Sequence, residues 1–187
     1  MKRASDFEFR NRVWIFALIF GLPFILYRVD SVPIGSRLAD RFAAAWPMEE
    51  IYALHVVFGV AALIMFAALF FRIWGSAYLS REVVHDHAVH SEILRADGPY
   101  RHVRNPLYLG NILMAFGMGL LASRAGILVI VAGNLIFCLR LIGLEESNLQ
   151  REQAESYIEF CRRVPRLWPS LKPRLPDSCL LYTSRCV

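Results

Sequence analysis

Two short stretches of this sequence carry side chains that could do chemistry. The first, DGPYRHVRNPLYLGN at residues 97–111, crowds Tyr100, Arg101, His102, Arg104, Asn105 and Tyr108 together. These supply rings, guanidinium groups, an imidazole and an amide, a set able to hold a polar ligand. Gly98-Pro99 signals a turn, and Asn105-Pro106 stops one element before Leu107 opens an apolar one. Backbone around Asn105-Pro106 must forgo some helical hydrogen bonds, which beside lipid is tolerated only against protein or water. Such a break makes a pocket floor. The same residues would also serve as an aromatic and arginine belt anchoring a helix end, and composition does not separate the two readings.

The second stretch is LRLIGLEESNL at residues 139–149. Glu145 and Glu146 end an apolar run. Adjacent carboxylates repel one another and gain nothing from lipid, so they call for cations. Arg140 lies five residues earlier, about 7.5 Å up a helix at 1.5 Å per residue. An arginine inside an apolar run marks a functional site by default, although one so near the end can snorkel to the interface.

Four apolar runs must position these groups. Residues 51–74 contain one histidine and no charge before Arg72, and they exceed the roughly 20 residues a bilayer requires. Residues 13–27 form a shorter run with Pro23 inside and Arg12 and Arg28 at its ends; no small-x-small site follows that would mark a cleaved signal peptide. Residues 107–123 and 126–144 complete the set, separated only by Arg124-Ala125. That brevity demands a tight antiparallel hairpin, in which Gly110, Gly117, Gly119, Gly126 and Gly133 would let the two backbones approach. From Glu145 onward, Leu149, Tyr157 or Ile158, and Cys161 recur at helical spacing among charges, predicting an amphipathic helix that stops at Val164-Pro165.

Charge placement orients the bundle. With the N-terminus cytoplasmic, that side receives Lys2, Arg3, Arg10, Arg12, Arg72, Arg81, Arg95, Arg101, Arg104 and the basic tail, while Arg28, Arg37, Arg41 and Arg124 fall opposite. The asymmetry predicts four spans with both termini cytoplasmic, and it accounts for the net charge of +5 without nucleic acid. Composition agrees: 56% of the 187 residues are hydrophobic and 20% charged, against about 45–50% and about 25% in soluble domains. Disorder is excluded, and four cysteines with no C-x-x-C pair exclude a disulfide scaffold. The expected fold class is therefore all-α, an integral membrane helix bundle with about four transmembrane spans and a cytoplasmic C-terminal amphipathic helix.

The ordered combination GPYRHVRNPLYLG, then EESNL, Tyr157 and RRVPRLWP resembles the isoprenylcysteine carboxyl methyltransferase family and its relatives among phospholipid methyltransferases. The resemblance covers roughly residues 51–169. It implies an integral membrane methyltransferase using S-adenosylmethionine, its cofactor pocket made by the re-entering loop and the C-terminal helix. Carried over by position, Tyr100, Asn105, Pro106, Leu107, Tyr108, Glu145 and Glu146 become cofactor contacts, with Glu92, Ile93, Leu94 and Arg95 in a further cofactor segment. Arg140 lies close to a family arginine that meets the substrate. The sequence departs in three places. The histidine before the proline is Asn105, which cannot hold a proton or a positive charge; the histidine that the family pattern expects at its place near Glu92 is absent; and the common F-G before Tyr157 reads Gln153-Ala154.

The chemistry of the residues is consistent with that cofactor. Glu145 or Glu146 can pair an ammonium, Arg101 or Arg104 a carboxylate, and Tyr100 or Tyr108 can stack on adenine or face a sulfonium. Arg104, Arg140 and His102 are the catalytic candidates. A carboxylate acceptor, as in isoprenylcysteine-type O-methylation, needs no base; an amine or thiol would, and His102 is the residue for it unless it is simply an exposed loop histidine. The expected acceptor is lipophilic and enters from membrane lipid, with no nucleic-acid partner. The expected location is a bacterial inner membrane. The alternatives are a phospholipid or amine N-methyltransferase of the same fold and a non-catalytic membrane interaction protein. His85, His87 and His90 with Asp86 and Glu92 could offer metal ligands, but the resemblance requires none and no metal is expected. His55, alone on a long apolar helix, reads as hydrogen-bonded within the bundle rather than as a ligand, and Cys138 and Cys161 read as packing residues. The ending CLLYTSRCV back-translates to a transposase end sequence joined to its own reverse complement. This predicts a domain over residues 1–178 and translated sequencing adapter over 179–187, leaving a charge of +4 and two cysteines.

Overall fold

The computed structural model describes residues 3–46, 48–85 and 97–176, with the side chains of 79–85 left aside. Six α-helices follow one another: α1 (Asp6–Arg10), α2 (Arg12–Ile25), α3 (Ile34–Ala45), α4 (Glu50–His85), α5 (Pro106–Gly119) and α6 (Arg124–Arg163). Short 3-10 turns at Leu26–Arg28 and Gly98–Arg101 complete the regular structure, and no β-strand forms among the described residues. The all-α expectation holds.

The chain divides into two compact units, residues 1–69 with 111–141, and residues 70–110 with 142–187. In the first unit, α1 starts on a Ser-x-x-Glu capping box: Ser5 Oγ accepts from Glu8 N at 3.3 Å, and Glu8 Oε2 accepts from Ser5 N at 2.7 Å. The segment before α3 is pinned to the turn after α5. Ile34 N donates to Ala122 O, Gly35 N donates to Leu120 O, and Arg124 donates through N and Nε to Asp30 Oδ2 at 3.3 and 2.9 Å. Ser123 Oγ accepts from Gly126 N and so caps the start of α6. Its capping is why the apolar runs read as 107–123 and 126–144 become helices ending at Gly119 and beginning at Arg124.

The seam of this unit is built from small side chains. Ala53, Ala61 and Ala68 of α4 are buried, while Leu63 and Phe66 of the same helix are each 71% exposed. Large apolar groups outside and alanines inside reverse the polarity of a water-soluble core and suit a lipid surround. Gly117 shows what the seam tolerates, since a Cβ there would meet Met65 Cγ at 2.7 Å and Ala61 O at 3.2 Å. The glycines expected to open the α5–α6 hairpin mostly serve other neighbours. Gly119 faces Ile127 and Ile130 of α6, but Gly117 faces α4, while Gly126 and Gly133 face Pro23 and Ile19 of α2.

Two helical stretches, Glu50–Tyr78 and Arg124–Arg163, are long and apolar enough to cross a membrane. Helices α2 and α5 have 14 residues each, about 21 Å at 1.5 Å per residue, against a hydrocarbon core of about 30 Å. Helix α4 runs on past Trp74, where the apolar run ends, to His85, because no proline interrupts it and Gly75, one of its two glycines, is packed against Leu107 and Pro106.

In the second unit, the polar end of α6 bends at Ala154, whose φ of 39° and ψ of −112° are not helical. The expected amphipathic face is real: Tyr157, Phe160, Val164 and Leu175 form a buried cluster with Leu149 and Cys161 against it. Ile158, the alternative to Tyr157, is exposed. The helix ends at Arg163, before Pro165, as the sequence requires.

Candidate active site

The second unit brings the two chemical stretches together. The turn at 97–105 is held by its own backbone: Tyr100 N donates to Asp97 O, and His102 N and Val103 N both donate to Pro99 O. Gly98 makes the turn possible. Its φ is +54°, and a Cβ there would lie 2.5 Å from the Tyr78 ring. Pro106 is the first residue of α5, where its missing N–H costs nothing, and Leu109 N donates to Asn105 O. Val103, Asn105 and Pro106 are buried, so the break before α5 is seated against protein.

Glu146 lies at the centre of a polar cluster. Its Oε1 accepts from Arg104 Nη1 at 3.0 Å and from Asn105 Nδ2 at 3.3 Å, while its Oε2 accepts from Arg166 Nη2 at 2.8 Å. The Arg104 and Glu146 side chains are only 14% and 17% exposed, so solvent screens this pair far less than a surface one. Glu145, next in the chain, accepts from Tyr108 Oη at 2.8 Å. Arg104 Nη1 also donates to Cys161 Sγ at 2.7 Å. Two guanidinium groups thus meet the one carboxylate of Glu146. The Nε–H groups of Arg104 and Arg166 are buried with no acceptor among the described residues, and a buried donor left unmade is costly.

His102 and Arg101 are held by the chain beyond α6. His102 Nδ1 lies 2.7 Å from Ser170 O. A carbonyl can only accept, so Nδ1 carries the proton, and in the neutral ring Nε2 presents the lone pair. The ring of Trp74 stands 5.7 Å away, centroid to centroid. Arg101 Nε donates to Leu175 O at 2.7 Å. The tail follows the turn residue by residue: Arg104 N donates to Pro165 O, Ser170 N to His102 O, and Arg174 N to Arg101 O.

Of the expected site residues, Arg104, Asn105, Tyr108, Glu145 and Glu146 share direct contacts, and Pro106 and Leu107 pack against Gly75 beside them. Tyr100 sits half-buried in the turn. Arg140 belongs to the first unit. There its Nε and Nη2 are clamped by Glu8 Oε1 and Oε2 at 3.2 and 2.7 Å, while Ala4 N donates to Arg140 O. The guanidinium and the Ser5 amide hold the Glu8 carboxyl well down, at about 2. Glu92, Ile93, Leu94 and Arg95, the other histidine-cluster residues Asp86, His87 and His90, and the suspected adapter residues 179–187 lie outside the described residues, as does the His85 side chain. Sequence reasoning missed Arg166 as a partner of Glu146. It stands in the RRVPRLWP string, but no spacing rule links it to a glutamate 20 positions earlier across a chain reversal.

A family model for phospholipid methyltransferase matches residues 54–155, more than half of the chain and including both the turn and the glutamate pair. No curated protein and no solved structure matches it. With apolar helices long enough to cross a membrane and its polar cluster built from the turn before α5 and the glutamates of α6, the chain belongs to the phospholipid methyltransferase family.

Proposed function

We propose that the protein is a four-span membrane methyltransferase that uses S-adenosylmethionine at the cytoplasmic face to methylate a lipophilic acceptor. One observation carries the reading: Arg104, Asn105 and Tyr108 meet Glu145-Glu146 within hydrogen-bond distance, across separations such as 41 positions for Asn105 to Glu146 and 37 for Tyr108 to Glu145. The donor set suits the cofactor. Glu145, oriented by Tyr108, offers a carboxylate for an α-ammonium, and the buried Nε–H of Arg104 offers an unmet donor for an α-carboxylate. When bound, S-adenosylmethionine supplies an electrophilic methyl on a sulfonium. The chain's own residues then have to align it with the acceptor and exclude water, which is where most of the rate of an in-line displacement is gained.

Two acceptor chemistries suit this frame. A carboxylate attacks without losing a proton. An amine must lose one, and the Ser170 carbonyl favours that second reading, because it fixes the His102 tautomer with Nε2 as the proton acceptor. The four-span topology is supported by exposed apolar side chains on the two shorter helices, among them Trp14 and Leu18 of α2 and Phe116 of α5.

Calorimetry on detergent-purified protein tests the cofactor. Wild type should bind S-adenosylmethionine, and Glu145→Gln should weaken binding by roughly tenfold or more, the loss of a charge-assisted hydrogen bond. A wild type that does not bind would reject the proposal. Incubating membranes with methyl-labelled cofactor and separating the products by class then identifies the acceptor.

A further inference from the structure

A carboxylate has about four lone-pair sites, and Glu146 has three of them taken by Arg104, Asn105 and Arg166. It is therefore committed to the protein, while its neighbour Glu145 accepts from Tyr108 Oη. Arg166 touches this arrangement twice. Its guanidinium donates to Glu146 Oε2 at 2.8 Å, and its backbone carbonyl accepts from Asn105 Nδ2 at 3.2 Å. Asn105 in turn donates to Glu146 Oε1. One residue thus closes a ring of contacts joining the turn before α5 to the acidic pair on α6, and it lies beyond the stretch that the family model matches. The adjacent Pro165 carbonyl, which accepts from Arg104 N, keeps the two segments in register.

We propose that Arg166 is a positioning residue of the cofactor site: it holds Glu146 and Asn105 in place, and through them sets the carboxylate pair that receives the cofactor. The assignment rests on the cofactor reading above. The Arg166 contact to Glu146 is a single guanidinium nitrogen rather than a two-pronged fork, so a lysine can replace the charge at this position, whereas methionine keeps only the bulk.

The test is calorimetric titration of the detergent-purified full chain with S-adenosylhomocysteine, alongside thermal unfolding of each variant. Arg166→Met should weaken affinity by about tenfold or more, and Arg166→Lys should recover to within about threefold of wild type. If Arg166 acts through Glu146, adding Arg166→Met to Glu146→Gln should cost less than about threefold beyond Glu146→Gln alone, the non-additivity of coupled residues. Arg162→Gln, which removes a neighbouring arginine that pairs only loosely with Glu159 at 3.7 Å, should bind as wild type. Unaltered affinity in Arg166→Met would overturn the assignment, and so would a penalty that multiplies in full on the Glu146→Gln background, since Arg166 would then act independently of Glu146. Where Arg166→Met fails to fold, Arg166→Lys decides, and a tenfold loss at unchanged melting temperature overturns it. Absence of binding by wild type instead brings down the cofactor reading itself, so the two failures are distinct.

Discussion

Ala154 offers a test in which the sign of the effect decides. It sits within the polar part of α6 at φ 39° and ψ −112°, a conformation that costs an L-residue about 1–3 kcal/mol. Glycine there is free of that cost but gives up about 0.4–1 kcal/mol through the greater freedom of its unfolded chain. Ala154→Gly should therefore stabilise the protein by about 1 kcal/mol, raising the melting temperature by about 2–4 °C for a chain of this size. A straight helix predicts the opposite, because glycine in a helix interior is about 1 kcal/mol worse than alanine. The assay is thermal unfolding of both proteins in one detergent at one concentration. A fall in melting temperature would refute the bend at Ala154.

Three further outcomes follow from the same geometry. Gly98→Ala, which combines a positive φ with a Cβ 2.5 Å from the Tyr78 ring, should cost about 2–4 kcal/mol in thermal unfolding; combining it with Tyr78→Ala should remove the steric part, and simple additivity would exclude that clash. Tyr108→Phe loses a 2.8 Å hydrogen bond to Glu145 and should weaken S-adenosylhomocysteine binding by about 3–10-fold in calorimetry. The Glu8 carboxyl is lowered from 4.5 to about 2 by Arg140 and Ser5. Its contribution to stability is therefore complete above about pH 4.5 and is lost as pH falls towards 2; acid unfolding of Glu8→Gln should lack that component.

The sequence already contained the fold class and the two halves of the site. Apolar runs 51–74 and 126–144 have no other use than burial or lipid, so helices long and apolar enough to cross a membrane follow from their length alone. Asn105-Pro106 could only break a helix, and the chain does break there. A local signal also marked the stop before Pro165, because it is decided within a few residues along the chain.

What tertiary structure decided is which charge meets which. The sequence offered Glu145 and Glu146 as equivalents, and only the fold separates them: Tyr108 takes the first, while Arg104, Asn105 and Arg166 take the second. It offered Arg140 as a partner for a substrate, and the fold gives it Glu8, 132 positions away. It left open which nitrogen of His102 is held, and the carbonyl of Ser170 answers that. The physical reason is common to all three. Helix formation and termination are set by neighbours three or four residues apart, whereas the partner of a buried charge is whichever opposite group the packing brings within about 3 Å, and no local pattern in the chain encodes that distance.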